Sequence, residues 1–308
     1  VEIDGNAIAP GEHHVVRLEV ARLPTGTLID LPVHVFRAPE PGPTLLVQGG
    51  LHGDEVNGIE ICRRLLDTDA AVPDRGTVIV VPVLNVFGFL HFSREVPDGK
   101  DVNRSFPGSR KGSLASRVAW THTRRVLPHV TAAIDLHTGG GRRHNHPQAR
   151  YTEGDAAARA LAETFGASFC FASGLIAKSF RQAAAKRDIP VVVYEAGESM
   201  RLHEDSVAQG LDGTRRVMAH LGMLDVAPEP RPTRHLTDTT WLRAPNAGMF
   251  SSRCDTGDAV QKGQLLGQVT DPFNAQRENL YAPMDGWVIT RNFDAVVHRG
   301  DALLRVGA

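Results

Sequence analysis

Short apolar runs alternate with longer amphipathic stretches from about residue 15 to residue 225, the pattern of strands separated by crossover helices. Thr44–Gln48, Thr77–Leu84, Ala132–Leu136 and Val191–Tyr194 are β-branched or aliphatic, and the first two directly follow Pro or Gly. They fit strands buried on both faces of a mostly parallel sheet. Apolar residues at helical spacing predict helices over Val56–Leu66, Leu114–Val126, Ala156–Thr164, Phe180–Arg187 and Asp205–Leu221. The ordering is that of an α/β fold, a mixed, mostly parallel sheet flanked by helices.

The pattern then changes. Ala227-Pro228-Glu229-Pro230-Arg231-Pro232 cannot continue a helix, because proline lacks a backbone donor and pushes the preceding residue toward extended geometry. It reads as a linker between an α/β domain over 1–230 and a smaller all-β domain over 235–308. In the latter, Pro245-Asn246-Ala247-Gly248 is echoed by Pro283-Met284-Asp285-Gly286, and Gly257-Asp258 by Gly300-Asp301. Repetition at about 40 residues suggests a duplicated hairpin closing into a small barrel or sandwich. The tail resembles the barrel-sandwich fold of biotinyl and lipoyl carrier domains, but Asp271–Asn279, at the tip between the halves, contains no lysine to modify. It is expected to be an appendage that packs against or roofs the first domain, as a lid or a subunit contact, which leaves a homo-oligomer open.

Composition narrows the function. The 308 residues carry a formal net charge of -1 and are 42% hydrophobic, so neither nucleic acid nor an anionic membrane is implied as a partner, and a small molecule is the default ligand. Cys62, Cys170 and Cys254 are too scattered for a disulfide framework or a thiolate metal cluster. With no basic-then-apolar leader at Val1 and no membrane-length apolar run, the expected location is cytoplasmic.

Chemistry gathers at strand ends. His52-Gly53-Asp54-Glu55 follows the strand Thr44–Gln48 through Gly49-Gly50, at the carboxyl end where open α/β sheets collect ligands. His52 and Glu55, at i and i+3, lie on one side of a helix start and can reach one ion. Asp135-Leu136-His137-Thr138-Gly139 ends another strand, with Asp135 and His137 projecting from one face. Two histidines and one carboxylate with an open position describe a catalytic zinc shell, although iron or manganese also accept such ligands. Between them lie Arg94 and the polar loop Asp101-Val102-Asn103-Arg104-Ser105-Phe106-Pro107-Gly108, and Glu195 follows in Val193-Tyr194-Glu195-Ala196-Gly197. Asn103-Arg104-Ser105 also matches a glycosylation sequon, a chance match in a cytoplasmic chain.

The ordered set Gly-Gly-Leu-His-Gly-Asp-Glu, Asp-Val-Asn-Arg-Ser-Phe-Pro-Gly, Asp-Leu-His-Thr-Gly and Tyr-Glu-Ala-Gly resembles the succinylglutamate desuccinylase and aspartoacylase family, whose catalytic fold is that of zinc carboxypeptidases. The resemblance spans roughly residues 40–225, and the tail also fits. It implies one zinc ion per subunit on His52, Glu55 and His137, with Glu195 as the catalytic carboxylate. Arg94 would stabilise the tetrahedral oxyanion, Asn103 and Arg104 would hold the substrate α-carboxylate, and Asp101 would orient His52. The implied reaction is hydrolysis of the amide of a small N-acyl amino acid, releasing a short acyl acid such as acetate or succinate. Arg150, Tyr151, Lys178 and Arg181 are the acyl-side candidates, with Arg181 taken as substrate-binding. The basic stretch Arg142–His146 either borders the pocket or is a solvated loop. The rival readings are a metallocarboxypeptidase or peptidoglycan-peptide amidase, and a zinc-binding protein without catalysis.

Overall fold

A computed structural model describes residues 1–22, 25–273 and 276–308. Asn274 and Ala275, in the tip segment discussed above, lie outside the described residues. The strands of the α/β region are β1 (His13–Arg22), β2 (Leu28–Arg37), β3 (Glu40–Gln48), β4 (Arg75–Val81), β5 (Ala132–Gly139), β6 (Arg143–Thr152), β7 (Phe169–Ser173) and β8 (Val191–Glu198). The helices are α1 (Val56–Asp67), α2 (Val86–His91), α3 (Leu114–Arg125), α4 (Ala156–Phe165), α5 (Phe180–Ala185) and α6 (Glu204–His220). Across the sheet the order is β6-β8-β5-β3-β4-β2-β1. The pairs β8·β5, β5·β3 and β3·β4 are parallel, and so is β7 on β6. The sheet turns antiparallel at β6·β8 on one side and at β4·β2·β1 on the other.

Strand alternation divides two cores. Leu45 and Val47 of β3, Ile134 and Leu136 of β5, and Val192 and Tyr194 of β8 meet Ile61, Cys62 and Leu65 of α1, Leu161 and Phe165 of α4, and Val217 of α6. The opposite side chains, Leu46, Ala133 and Val191, meet Ala115 and Val118 of α3 and Phe180 and Ala184 of α5. Because side chains alternate across a strand, Asp135, His137 and Glu195 emerge on that second face, just where the apolar layer ends. Side-chain oxygens of Ser113, Asp155 and Ser179 accept from the first-turn amides of α3, α4 and α5, which fixes where those helices begin.

Helix α1 lies unusually close to the sheet, and glycine permits it. A Cβ on Gly58 would lie 2.6 Å from the Leu136 carbonyl oxygen, and one on Gly49 would lie 2.7 Å from the Gly58 carbonyl carbon. Backbone therefore packs on backbone, and the turn carrying His52 and Glu55 is clamped between the ends of β3 and β5.

Most predicted elements recur with shifted ends. The second strand stops at Val81, before Pro82, and β5 and β8 run on to Gly139 and Glu198. Arg142–His146 is largely not a loop: Arg143 starts β6, whose polar positions face cavities on both sides. Nor is the tail joined only by its linker. Gly286–Asn292 pairs antiparallel with β6 through Thr290↔Asn145, Arg291↔His144 and Asn292↔Arg143, and Ala302–Gly307 and Thr239–Arg243 continue the same sheet. A separate four-stranded sheet, which includes Gly248–Ser252 and Leu265–Thr270, completes the tail around Leu266, Val269, Val288 and Leu304. Among the described residues, no helix is long and apolar enough to cross a membrane.

Candidate metal centre and surrounding pocket

The turn after β3 delivers His52 and Glu55, and the end of β5 delivers Asp135 and His137. His52 Nδ1 lies 2.7 Å from Glu55 Oε1, and His137 Nδ1 lies 2.8 Å from Glu55 Oε2. One ligand atom from each residue falls within 4.8 Å of the others, and all three residues are buried. The outward nitrogens face carboxylates: His137 Nε2 is hydrogen-bonded to Asp135 Oδ2 at 3.0 Å, and His52 Nε2 stands at the looser ion-pair distance of 3.4 Å from Asp101 Oδ1. Gln48 donates to the second Asp135 oxygen at 2.9 Å, and the Thr138 amide donates to Glu55 at 3.0 Å. Carboxylates on Nε2 leave each Nδ1 as the electron-rich inward donor, which is how metal-binding histidines are oriented. This donor set fits a divalent cation.

Electrostatics agree. Burial opposes charge on His137, but Asp135 and Glu55 outweigh it and raise its pKa well above the ordinary imidazole range. Burial likewise works against ionisation of Glu55, and the two histidines overcome it, pulling its pKa well below the usual carboxylate value. Asp101 behaves in the same way, held low by His52 and Arg94 against its partial burial. A cluster that stabilises a positive charge between Nδ1 and carboxylate is suited to hold a cation there.

The remaining polar residues ring a cavity of about 340 Å³. Arg94 donates from Nε and Nη2 to Asp101 Oδ2 at 3.1 and 2.9 Å, which turns Nη1 toward His52 Nδ1 (3.2 Å) and Glu55 Oε1 (3.7 Å). Asn103 and Arg104 follow on a short 3₁₀ turn capped by Asp101, and Asn103 Oδ1 accepts from the Phe180 amide at 2.9 Å. Glu195 is the register partner of His137 on the adjacent parallel strand, so both side chains leave the sheet on one face. Its Oε1 lies 3.0 Å from Arg150 Nη1, and its Oε2 accepts from Asn145 Nδ2 at 2.6 Å. Arg181 is buried and donates to Ser173 Oγ and the Gly174 carbonyl.

All nine residues singled out from the sequence meet here: eight line the cavity, and Asp101 stands behind His52 and Arg94. Among the acyl-side candidates, Arg150 and Arg181 line it, whereas Tyr151 and Lys178 do not. The stretch around His144 is divided by strand alternation. Arg143 and Asn145 face this pocket, while His144 and His146 border a second cavity with His203 and Asp255. Asn145 was reached only as part of that stretch, with no role of its own, and sequence reasoning missed the tail residues Trp241, Thr290 and Arg305, which also line the pocket. Burial and Arg150 push the Arg305 pKa down to about 10, against the pull of Glu195. Neither Arg181 nor Arg305 is paired with a carboxylate among the described residues.

A mixed α/β sheet with a buried His-Glu-His cluster at its strand ends and a β-rich tail defines the class, and the comparisons place the chain within it. The family model described as the succinylglutamate desuccinylase/aspartoacylase catalytic domain matches residues 41–221, and the chain belongs to this family of amide deacylases. It is 31% identical over 288 residues, 89% of this chain and 84% of the relative, to the N-alpha-acetyl-L-2,4-diaminobutyric acid deacetylase of Halomonas elongata. The product-bound ectoine utilization protein EutE (DoeB) of Ruegeria pomeroyi superposes with a TM-score of 0.87 at 26% identity, covering 100% of this chain and 97% of that one. A succinylglutamate desuccinylase/aspartoacylase from Rhodobacter sphaeroides gives 0.86 at 26% identity, covering 100% and 98%.

Proposed function

We propose that this protein is a zinc-dependent deacylase that hydrolyses the amide of an N-acyl amino acid, with N-alpha-acetyl-L-2,4-diaminobutyrate the first substrate to test because the Halomonas elongata relative is named for it. The observation that carries the reading is the pairing of Glu195 with His137 on neighbouring strands, which sets a carboxylate beside the metal-binding cluster in one small pocket.

His52, Glu55 and His137 would hold the zinc ion, which when bound supplies Lewis-acid activation of water and of the scissile carbonyl. Glu195 takes the proton of the attacking water on a carboxylate oxygen and returns it to the leaving amine nitrogen. Arg150 and Asn145 occupy one Glu195 oxygen each and fix the plane of that carboxylate. Arg94, locked by Asp101, brings its guanidinium to the edge of the metal-binding cluster, where its charge would stabilise the oxyanion formed from the carbonyl oxygen. Asn103 and Arg104 receive the substrate α-carboxylate. Arg181 and Arg305 add positive charge to a wall that favours anionic groups.

The test is metal analysis of the purified protein together with turnover of N-acetyl and N-succinyl amino acids beside short peptides. About one zinc per chain and hydrolysis of an acylated amino acid are expected. Glu195→Gln should lower kcat at least about 100-fold with zinc retained, in keeping with loss of a general base. Turnover of peptides alone, or an active protein without divalent metal, would overturn the proposal.

A further inference from the structure

The tail reaches Glu195 through a two-bond relay. Thr290, on the tail strand Gly286–Asn292, donates from Oγ1 to Asn145 Oδ1 at 2.7 Å, and Asn145 Nδ2 donates to Glu195 Oε2 at 2.6 Å. Thr290 is 2% exposed and Asn145 4%, so the bond between them is buried, while the bond to Glu195 lies at the pocket wall. The geometry is set by strand register: Asn145 is the direct partner of Thr290 on one side and of Gly197, two residues beyond Glu195, on the other.

A carboxamide has two ends that differ little in shape, and only the NH₂ end can donate. The Glu195 carboxylate can only accept, so the Asn145 amide presents NH₂ to it and turns its oxygen to the Thr290 hydroxyl, which anchors the far end. Without that hydroxyl, the buried oxygen loses its partner, and rotation about the terminal bond would bring oxygen against a carboxylate oxygen. We propose that Thr290 is a positioning residue for amide hydrolysis: through Asn145 it fixes the orientation of Glu195, so the tail is a working part of the catalytic site. This rests on the reading of Glu195 as the catalytic carboxylate.

The test compares Thr290→Val, nearly isosteric and favourable in a strand, with Thr290→Ser, which keeps the hydroxyl. On N-alpha-acetyl-L-2,4-diaminobutyrate and the wider N-acyl panel, the valine variant should lose roughly tenfold in kcat, the order expected when a buried amide oxygen is left without its donor. KM should stay within about twofold, zinc content should be unchanged, and serine should restore the rate. Crystal structures of wild type and Thr290→Val supply a second readout that needs no substrate, in which the Asn145 side chain is expected to be displaced and the Glu195 carboxylate to move with it. Should the valine variant fail to fold, Thr290→Ala replaces it with the same expectations. Wild-type kcat in the hydroxyl-free variant, an undisturbed Glu195 in its structure, or a serine variant as impaired as valine overturns the proposal. Glu195→Gln run in parallel separates the two claims. If it stays active, the catalytic reading of Glu195 falls; if it is inactive while Thr290→Val matches wild type, only the relay falls.

Discussion

Replacing Gly58 with alanine tests whether close backbone packing of α1 sets the metal centre. The added Cβ would sit 2.6 Å from the Leu136 carbonyl oxygen and 2.9 Å from the Leu136 Cβ, neither of which can swing aside. An ordinary contact needs about 3.4 Å, so α1 must retreat by roughly 0.8 Å or β5 must yield. Overpacking of this kind costs about 1–3 kcal/mol, offset by roughly 1 kcal/mol of helix propensity gained over glycine. The net loss of about 1 kcal/mol lowers Tm by only about 2 °C. The centre should suffer more. Glu55 stands at the N-cap of α1 and Leu136 directly precedes His137, so the shift falls between two of the three proposed metal ligands. Metal sites tolerate about 0.2 Å, and affinity should fall at least about tenfold. Competitive zinc titration alongside thermal melts measures both effects. Unchanged zinc affinity and Tm would show that α1 has room to spare and would refute the reasoning.

Asp135→Asn keeps the shape but weakens the carboxylate behind His137, and metal affinity should fall about 10–100-fold, read by the same titration; no change would mean that Asp135 does not set the imidazole. His122 lies fully buried among Phe106 and Phe180, and burial, against a weak pull from Asp135, pushes its pKa down to about 4. The unfolded chain, with His near 6.5, binds more protons below that pH, so this group lowers stability as pH falls from about 6.5 toward 4 and has no effect above 6.5. By pH 5 it should remove about 2 kcal/mol, and His122→Leu should abolish that part of the loss in urea melts at pH 7 and pH 5. Equal pH sensitivity in variant and wild type would contradict the burial argument.

Legibility in the sequence followed locality. His52, Glu55, His137 and Glu195 each lie near or just beyond the end of a short apolar strand, and both the strand and the chemistry are visible within about ten residues. Strand β6 hid because Arg143–Thr152 is mostly polar, its side chains serving two cavities instead of an apolar layer. Asn145, Thr290 and Arg305 were not legible for a deeper reason. Their importance arises from register between strands about 145 residues apart in the chain, and long-range pairing leaves no local signature. The same holds for Gly58, whose lack of a side chain matters only once Leu136 is known to lie beneath it.

The strand Gly286–Asn292 continues the catalytic sheet, and that continuity bears on how the protein moves. A lid attached only by a proline-rich linker would be free to swing, but a tail laddered onto β6 can open only by breaking inter-strand hydrogen bonds beside Glu195. Such opening is a local unfolding event with a cost set by buried, paired backbone. Traffic of substrate and product should therefore fall to the loops at the rim, around Gly140 and between Gly174 and Ser179, while the tail acts as a fixed wall. Cutting the chain at the linker would not release an independent catalytic unit. It would strip the partner from the Arg143–Asn145 end of β6, beyond the part still paired to β7, and leave unpaired amides and carbonyls there ready to template aggregation.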